Sequence, residues 1–229
     1  GYYQNLNKNM FKISGEVYYK VLQNQIDYRN GAELFLNNEV EGELVYGQGT
    51  AYGFEFLVEK KKGKFTGWLS YTLSRALRQF DAINEGKEFS ARQDRIHDVS
   101  VVLMYRVNKA IALSASWVYY TGDAVTFPSG GYELNSTYVP YYTERNGYRM
   151  PDYHRLDIGF TWYMKERRLL DHSLNVSVYN AYARENAYTI TFSEKEGKPV
   201  AVQTTLFKLI PSITYNFKIK NFKKKDKTK

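Results

Sequence analysis

Apolar and polar residues alternate with a period of two along most of this chain, the pattern of strands whose two faces meet two different environments. Ile111, Leu113, Ala115, Trp117 and Tyr119 fall on one side of a segment whose other side carries Ala112, Ser114, Ser116 and Val118. Leu156, Ile158, Phe160 and Trp162 alternate likewise with Arg155, Asp157, Gly159 and Thr161, and Ile213, Tyr215, Phe217 and Ile219 with Ser212, Thr214, Asn216 and Lys218. The alternation predicts nine strands, over residues 1–6, 10–22, 46–60, 65–78, 95–107, 111–121, 152–164, 173–182 and 207–219. A further strand over 187–192 extends a hairpin above the last loop. No strong helical period is present.

The connections fall into two alternating sets. Asn7-Lys8-Asn9, Lys61-Lys62-Gly63-Lys64, Asn108-Lys109-Ala110 and the stretch from Lys165 to His172 are short and polar, as hairpin turns require. Between them lie long segments near 23–45, 79–94, 122–151 and 183–206. Antiparallel strands joined by short turns at one end and long loops at the other are the plan of outer-membrane barrels, whose short turns are periplasmic. On that plan the final strand runs toward the periplasm. Aromatic residues near the strand ends, Tyr18 and Tyr19, Phe65 and Trp68, Tyr119 and Tyr120, Trp162 and Tyr163, suit headgroup-level girdles, although Tyr and Phe are also good strand formers.

Composition changes the picture in three places. The 229 residues include 22 Tyr and 13 Phe, and a mean hydropathy of -0.54 does not argue against a membrane, because lumen-facing polar residues lower the average of a barrel. No apolar run reaches the 18 or so residues of a transmembrane helix. The formal charge of +8 is concentrated at one end: residues 218–229 hold seven Lys and one Asp, leaving +2 for the rest. The basic stretch therefore reads as a solvated, disordered tail over 220–229 rather than a nucleic-acid surface, which needs a basic stripe on the folded part. There are no cysteines, so disulfides and thiolate chemistry are excluded. The chain has neither an initiating Met nor a signal-peptide pattern and reads as a mature or truncated piece.

Lys12 and Glu16, Glu55 and Glu59, Asp98 and Arg106, and Arg155 and Asp157 occupy the polar faces. An Arg or Lys facing lipid at mid-bilayer costs about 2–4 kcal/mol, so in a membrane barrel these faces line the lumen. A soluble barrel reverses the assignment, with aliphatic residues inside and charges in water.

Gly1-Tyr2-Tyr3, Gly15-Glu16-Val17-Tyr18-Tyr19-Lys20, Tyr52-Gly53-Phe54-Glu55-Phe56 and Phe65-Thr66-Gly67-Trp68-Leu69-Ser70-Tyr71-Thr72-Leu73-Ser74 resemble the barrel of TonB-dependent outer-membrane receptors, in the version common in Bacteroidetes. Asp94-Arg95-Ile96-His97-Asp98, Tyr120-Thr121-Gly122, Tyr153-His154-Arg155-Leu156-Asp157 and Tyr179-Asn180-Ala181-Tyr182 continue the resemblance in the family's order over nearly the whole chain. It implies an all-β, antiparallel up-and-down transmembrane β-barrel of about 22 strands, of which nine would be roughly the last two fifths, over residues 1–219. It also implies partners: the remaining N-terminal barrel strands and plug domain, TonB reached through the plug, outer-membrane lipid and, in some members, a SusD-like surface lipoprotein. The implied activity is active import of a bulky, scarce nutrient such as an iron chelate, a glycan or a peptide, with no cofactor and no enzymatic step. The final strand, with Tyr215 and Phe217, resembles the terminal assembly signal of such barrels, but continues into Lys220 to Lys229. A small passive pore or adhesin barrel, and a soluble ligand-binding barrel, are the alternative readings.

Candidate chemistry is sparse. His97, His154 and His172 lie in no metal-binding spacing. Asp94, His97 and Asp98 resemble a protease set, yet a strand puts His97 on the face opposite the two carboxylates. His154, beside Arg155 and Asp157, reads as a lumenal hydrogen-bonding residue. No catalytic or metal residues are assigned. Ligand contact falls to the long loop from Thr121 to Met150, which carries Tyr132, Tyr138, Tyr141, Tyr142, Tyr148, Asn135, Glu144, Arg145 and Asn146, without singling out a residue.

Overall fold

The computed structural model describes residues 1–134, 137–165, 170–195 and 198–219. The basic stretch 220–229 lies outside them. Among the described residues there are sixteen strands: β1 (Tyr2–Leu6), β2 (Phe11–Tyr28), β3 (Leu44–Lys60), β4 (Phe65–Gln79), β5 (Phe89–Ser90), β6 (His97–Arg106), β7 (Ile111–Tyr120), β8 (Ala124–Val125), β9 (Gly130–Leu134), β10 (Thr137–Tyr141), β11 (Tyr148–Arg149), β12 (Tyr153–Tyr163), β13 (Leu170–Tyr179), β14 (Thr189–Lys195), β15 (Lys198–Thr204) and β16 (Ile210–Ile219). Two 3-10 turns, Val40–Glu43 and Asn84–Gly86, are the only helical elements among the described residues.

Nine strands form one antiparallel meander in the order β1-β2-β3-β4-β6-β7-β12-β13-β16, with β5 paired to β4. These are the nine expected strands, so the fold is all-β and up-and-down. The described sheet is an open wall with β1 and β16 at its edges. The three remaining short-strand pairings, β9 with β10, β8 with β11 and β14 with β15, lie within the last two long loops, and β14 with β15 is the hairpin expected near 187–192.

The largest departure is β2, which continues to Tyr28 rather than stopping near residue 22. The polar run Gln23-Asn24-Gln25 looks like a loop in sequence. In the fold it is a bulge: the register with β3 shifts between Leu22 and Gln25, and Asn24 takes up the irregularity with φ 52. Pairing then resumes through Asp27 and Tyr28. β4 likewise runs from its last pair with β6, Leu73 opposite His97, on to Gln79. The β2–β4 side therefore stands taller than β6, β7, β12 and β13.

Register settles the faces. Trp162, Phe160, Ile158 and Leu156 lie opposite Ile111, Leu113, Ala115 and Trp117. Leu174 and Val176 lie opposite Tyr215 and Ile213. This apolar face is open: Ile213 is 74% exposed and Trp162 46%. The opposite face is polar, with Lys12 facing Glu59, Glu16 facing Glu55 and Thr72 facing Asp98. A single-layer sheet has no core between layers. The buried apolar cluster is at the long-loop end, where Phe80, Ile83 and Phe89 pack with Val45. An exposed apolar face of this size requires a non-aqueous neighbour.

Candidate functional site

Following the register sideways across the polar face gives one continuous row: Glu16, Glu55, Thr72, Asp98, Tyr120 and Tyr153, each opposite the next on adjacent strands. The row begins acidic and ends aromatic. At its acidic end two like charges face each other, a destabilising pair across a ladder, and the Tyr3 hydroxyl donates to Glu16 at 2.6 Å.

The aromatic end is the more elaborate. Tyr120, at the top of β7, stacks on Tyr153, at the start of β12, with ring centres 4.7 Å apart and planes within 5°. The Arg95 guanidinium lies over the Tyr120 ring at 3.9 Å and donates to Asp123 at 2.8 Å. That hydrogen bond raises the Arg95 pKa, so its charge is permanent. Arg155 lies over Tyr179 of β13 at 4.1 Å and donates to the hydroxyls of Tyr153 at 3.0 Å and Tyr179 at 2.9 Å. Its counter-ion Asp157, 3.0 Å away, accepts from the backbone N–H of Asn180 at 2.9 Å. Arginine over a tyrosine face is a favourable cation–π arrangement, and each guanidinium here also keeps a carboxylate.

Above this ladder sits a cavity of about 270 Å³, lined by Tyr120, Tyr153 and Tyr179 from the wall and by Tyr188, Leu206 and Phe207 from the last long loop. It offers ring faces, tyrosine hydroxyls and the Asp123 carboxylate, which is already paired with Arg95. Such a lining stacks on and hydrogen-bonds a ring-bearing solute without demanding a charge of either sign.

The surrounding loops are fastened to the wall by residues from the family-like motifs. Asp94 is fully buried: it accepts from the backbone N–H of Ala76 at 2.6 Å, pairs with Arg75 at 3.4 Å and is gripped by Arg149. Asn180, also fully buried with φ 53, bridges to both backbone groups of Arg184. Gly122 is packed so closely on the Met150 backbone that a side chain has no room there.

The loop from Thr121 to Met150 divides. Tyr132, Tyr141 and Tyr142 are exposed, and Tyr148 is tilted against Phe127. Arg145 and Asn146 are structural. Arg145 donates to Asp27 at 2.8 Å, to the Tyr28 carbonyl at 2.7 Å and to Asn30 at 3.0 Å. Asn146 donates to the Ser90 carbonyl at 2.9 Å. Tyr138 pairs through its backbone with Glu133, and Asn135 lies outside the described residues.

Several sequence expectations are corrected. His154 has the register of the apolar face, opposite Tyr119, and its Nδ1 is 2.8 Å from the Tyr182 hydroxyl, so it is not lumenal. His97 and His172 share that face and are likewise joined to tyrosines, Tyr71 and Tyr215. Asp94 is held by Arg75 and Arg149, and the register puts His97 and Asp98 on opposite faces, as the alternation implies. In each expected girdle pair one ring faces inward: Tyr18, Trp68, Tyr120 and Tyr163 have the register of the polar face. Tyr153 and Tyr179 were not singled out as site residues. Their signal was parity, since both alternate in step with Arg155 and Asp157.

No family model and no curated protein matches the chain. Among solved structures it is similar to the ferric-catecholate import receptor Fiu of Escherichia coli K12 in its closed form, with a TM-score of 0.54 and 16% identity. The match covers 93% of this chain and 26% of the receptor, so the chain spans about a quarter of that protein's length. The likeness is one of fold alone, an antiparallel sheet that superposes on part of that receptor.

Proposed function

We propose that this chain is the C-terminal part of the barrel wall of an outer-membrane, TonB-dependent transporter that imports a bulky, scarce solute into the periplasm, without an enzymatic step. The observation that carries the reading is the register: across nine strands it segregates aliphatic residues to one face and charged residues to the other. An open sheet with an apolar face and two unpaired edges is stable in lipid only as part of a closed barrel. Its partners on this reading are the other barrel strands, a plug and, through the plug, TonB. The order of the motifs favours the Bacteroidetes type, in which a SusD-like lipoprotein can cap the barrel.

The polar face is then the lumen, and the cavity lined by Tyr120, Tyr153 and Tyr179 lies on the solute's route where the wall meets the outer loops. The test is uptake by cells of the protein that carries this chain. Accumulation of its solute should disappear when TonB is deleted. Tyr120→Ala with Tyr153→Ala should weaken solute binding about tenfold or more, the loss of two aromatic contacts of about 1 kcal/mol each, while the barrel still assembles. Uptake that persists without TonB would favour a passive pore.

A further inference from the structure

We propose that the short-turn end of this wall binds the headgroups of anionic phospholipids, an inference that rests on the membrane reading above. The described short connections 7–10, 61–64 and 107–110 contain Lys8, Lys61, Lys62, Lys64 and Lys109 and no carboxylate, and in sequence the last connection, from Lys165, carries Arg167 and Arg168 against Glu166. Lysines in hairpin turns are commonly solvated. Here the side chains that are engaged mostly hold backbone carbonyls: Lys60 donates to those of Lys62 and Phe65, both at 2.8 Å, and Lys62 to that of Lys8 at 2.7 Å. Lys61 reaches Glu59 only at 3.5 Å, and Lys8, Lys64 and Lys109 face no carboxylate among the described residues. An ammonium group bonded to a carbonyl keeps its full charge, so the rim is a fixed band of positive potential.

The band sits where headgroups would be. Phe65 directly follows Lys64 and lies opposite Tyr105 on the apolar face, with Lys109 just beyond the end of the same strand. Further along, a concavity of about 830 Å³ opens at the lower edge of the sheet. Arg106, Lys109, Lys165 and Lys218 line it with one carboxylate, Asp171, which lies opposite Lys218, and with Trp162 and Phe217, which belong to the apolar face. Cations beside outward-facing rings fit an amphiphile with an anionic phosphate head and an acyl chain lying along the apolar face. An acidic soluble protein would match the charge but leave the rings unused.

The experiment uses the protein that carries this chain, reconstituted in nanodiscs of mixed phosphatidylglycerol and phosphatidylcholine, with retained lipids counted by native mass spectrometry. Heat-modifiable gel mobility first confirms insertion; failure at that step would overturn the membrane reading itself and leave a folded protein with no lipid to select. In inserted protein, phosphatidylglycerol should be retained over phosphatidylcholine. One lysine near an anionic surface contributes roughly fivefold enrichment at low salt, so replacing Lys61, Lys62, Lys64 and Lys109 by Gln should abolish the preference. The matching Lys→Arg variant should keep it. Equal retention of the two lipids by the unmodified protein, or a preference that survives the Gln variant, would overturn the proposal. So would loss of the preference to inorganic phosphate at matched ionic strength, which indicates a phosphate site, or capture of soluble polyglutamate with no lipid preference, which indicates a protein-docking rim.

Discussion

The two ends of this wall use positive charge in opposite ways. At the long-loop end, guanidinium groups are spent on carboxylates: Arg29 on Glu43, Arg78 and Arg145 on Asp27, Arg75 and Arg149 on Asp94, Arg95 on Asp123. At the short-turn end, lysines hold carbonyls or face outward. The difference follows from chain length. A hairpin turn of a few residues is fixed by its own ladder and needs no cross-link. A loop of fifteen or thirty residues has a large entropy to lose, and ion pairs to the wall supply part of the compensation. Charge at one end is therefore fastening, and at the other it is surface.

The sharpest way to break this contrast is at Asp94. Asp94→Asn leaves two arginines without their counter-ion and should destabilise the loops over 80–96 and 121–152 by about 3 kcal/mol, the low end for a buried carboxylate because both guanidiniums are partly exposed. Faster proteolysis of those loops, with the strands still protected, is the expected result; unchanged loop protection would show that the pairs do not fasten them. Next in size is a test of the faces that lie between the two ends. Phe160→Arg should cost barrel assembly about 2 kcal/mol, read as loss of the folded gel band. Thr161→Arg, one residue along on the polar face, should cost only the hydrogen bond from Asn175, about 1 kcal/mol. Comparable, mild effects from both would reverse the assignment of lipid and lumen.

Arg145→Ala should have a smaller, local effect of about 1.5 kcal/mol, seen as faster hydrogen exchange over 142–147 and 80–88 with little change elsewhere. The smallest effect is in pH. The hydrogen bond from Arg29 lowers the Glu43 pKa below its ordinary 4.5. The stabilisation from this pair is therefore complete above 4.5 and is lost as the pH falls through the lowered value. Hydrogen exchange over 29–43 should stay flat as the medium is acidified to that point and then rise, whereas the turns at 7–10 and 107–110, which hold no such pair among the described residues, should show no step.

The fold was legible because period-two alternation survives tertiary context when one face must be apolar throughout. Ile111 to Tyr119 and Leu156 to Trp162 each show one apolar face in sequence, and the structure places them opposite each other. The upper part of β2 was not legible. Gln23-Asn24-Gln25 has loop composition, and only the resumed pairing of Ile26 with Tyr46 shows it to be a bulge within a strand. The candidate site was half legible. Arg155 and Asp157 were assigned to the polar face, but the ladder they join needs Tyr120 and Arg95 from other strands and loops, and such contacts leave no local signal. Arg145 shows the converse: in sequence it resembles a ligand-binding loop residue, and its partners, Asp27 and Asn30, lie more than a hundred positions away.

The unequal height of the strands has a mechanical consequence. Where β2, β3 and β4 rise beyond their neighbours, they form a ladder of backbone hydrogen bonds that cannot hinge at one residue without losing register along its whole length. That side acts as a stiff cantilever, anchored below and nearly rigid above. Beside β7, β12 and β13 the strands stop earlier, and what continues is loop, held partly by the short pairings β8–β11, β9–β10 and β14–β15 and partly by side chains that can release singly. On the transporter reading proposed above, a mouth with one stiff and one compliant lip opens asymmetrically, the described loop residues beside β7, β12 and β13 moving against a stationary β2–β4 edge.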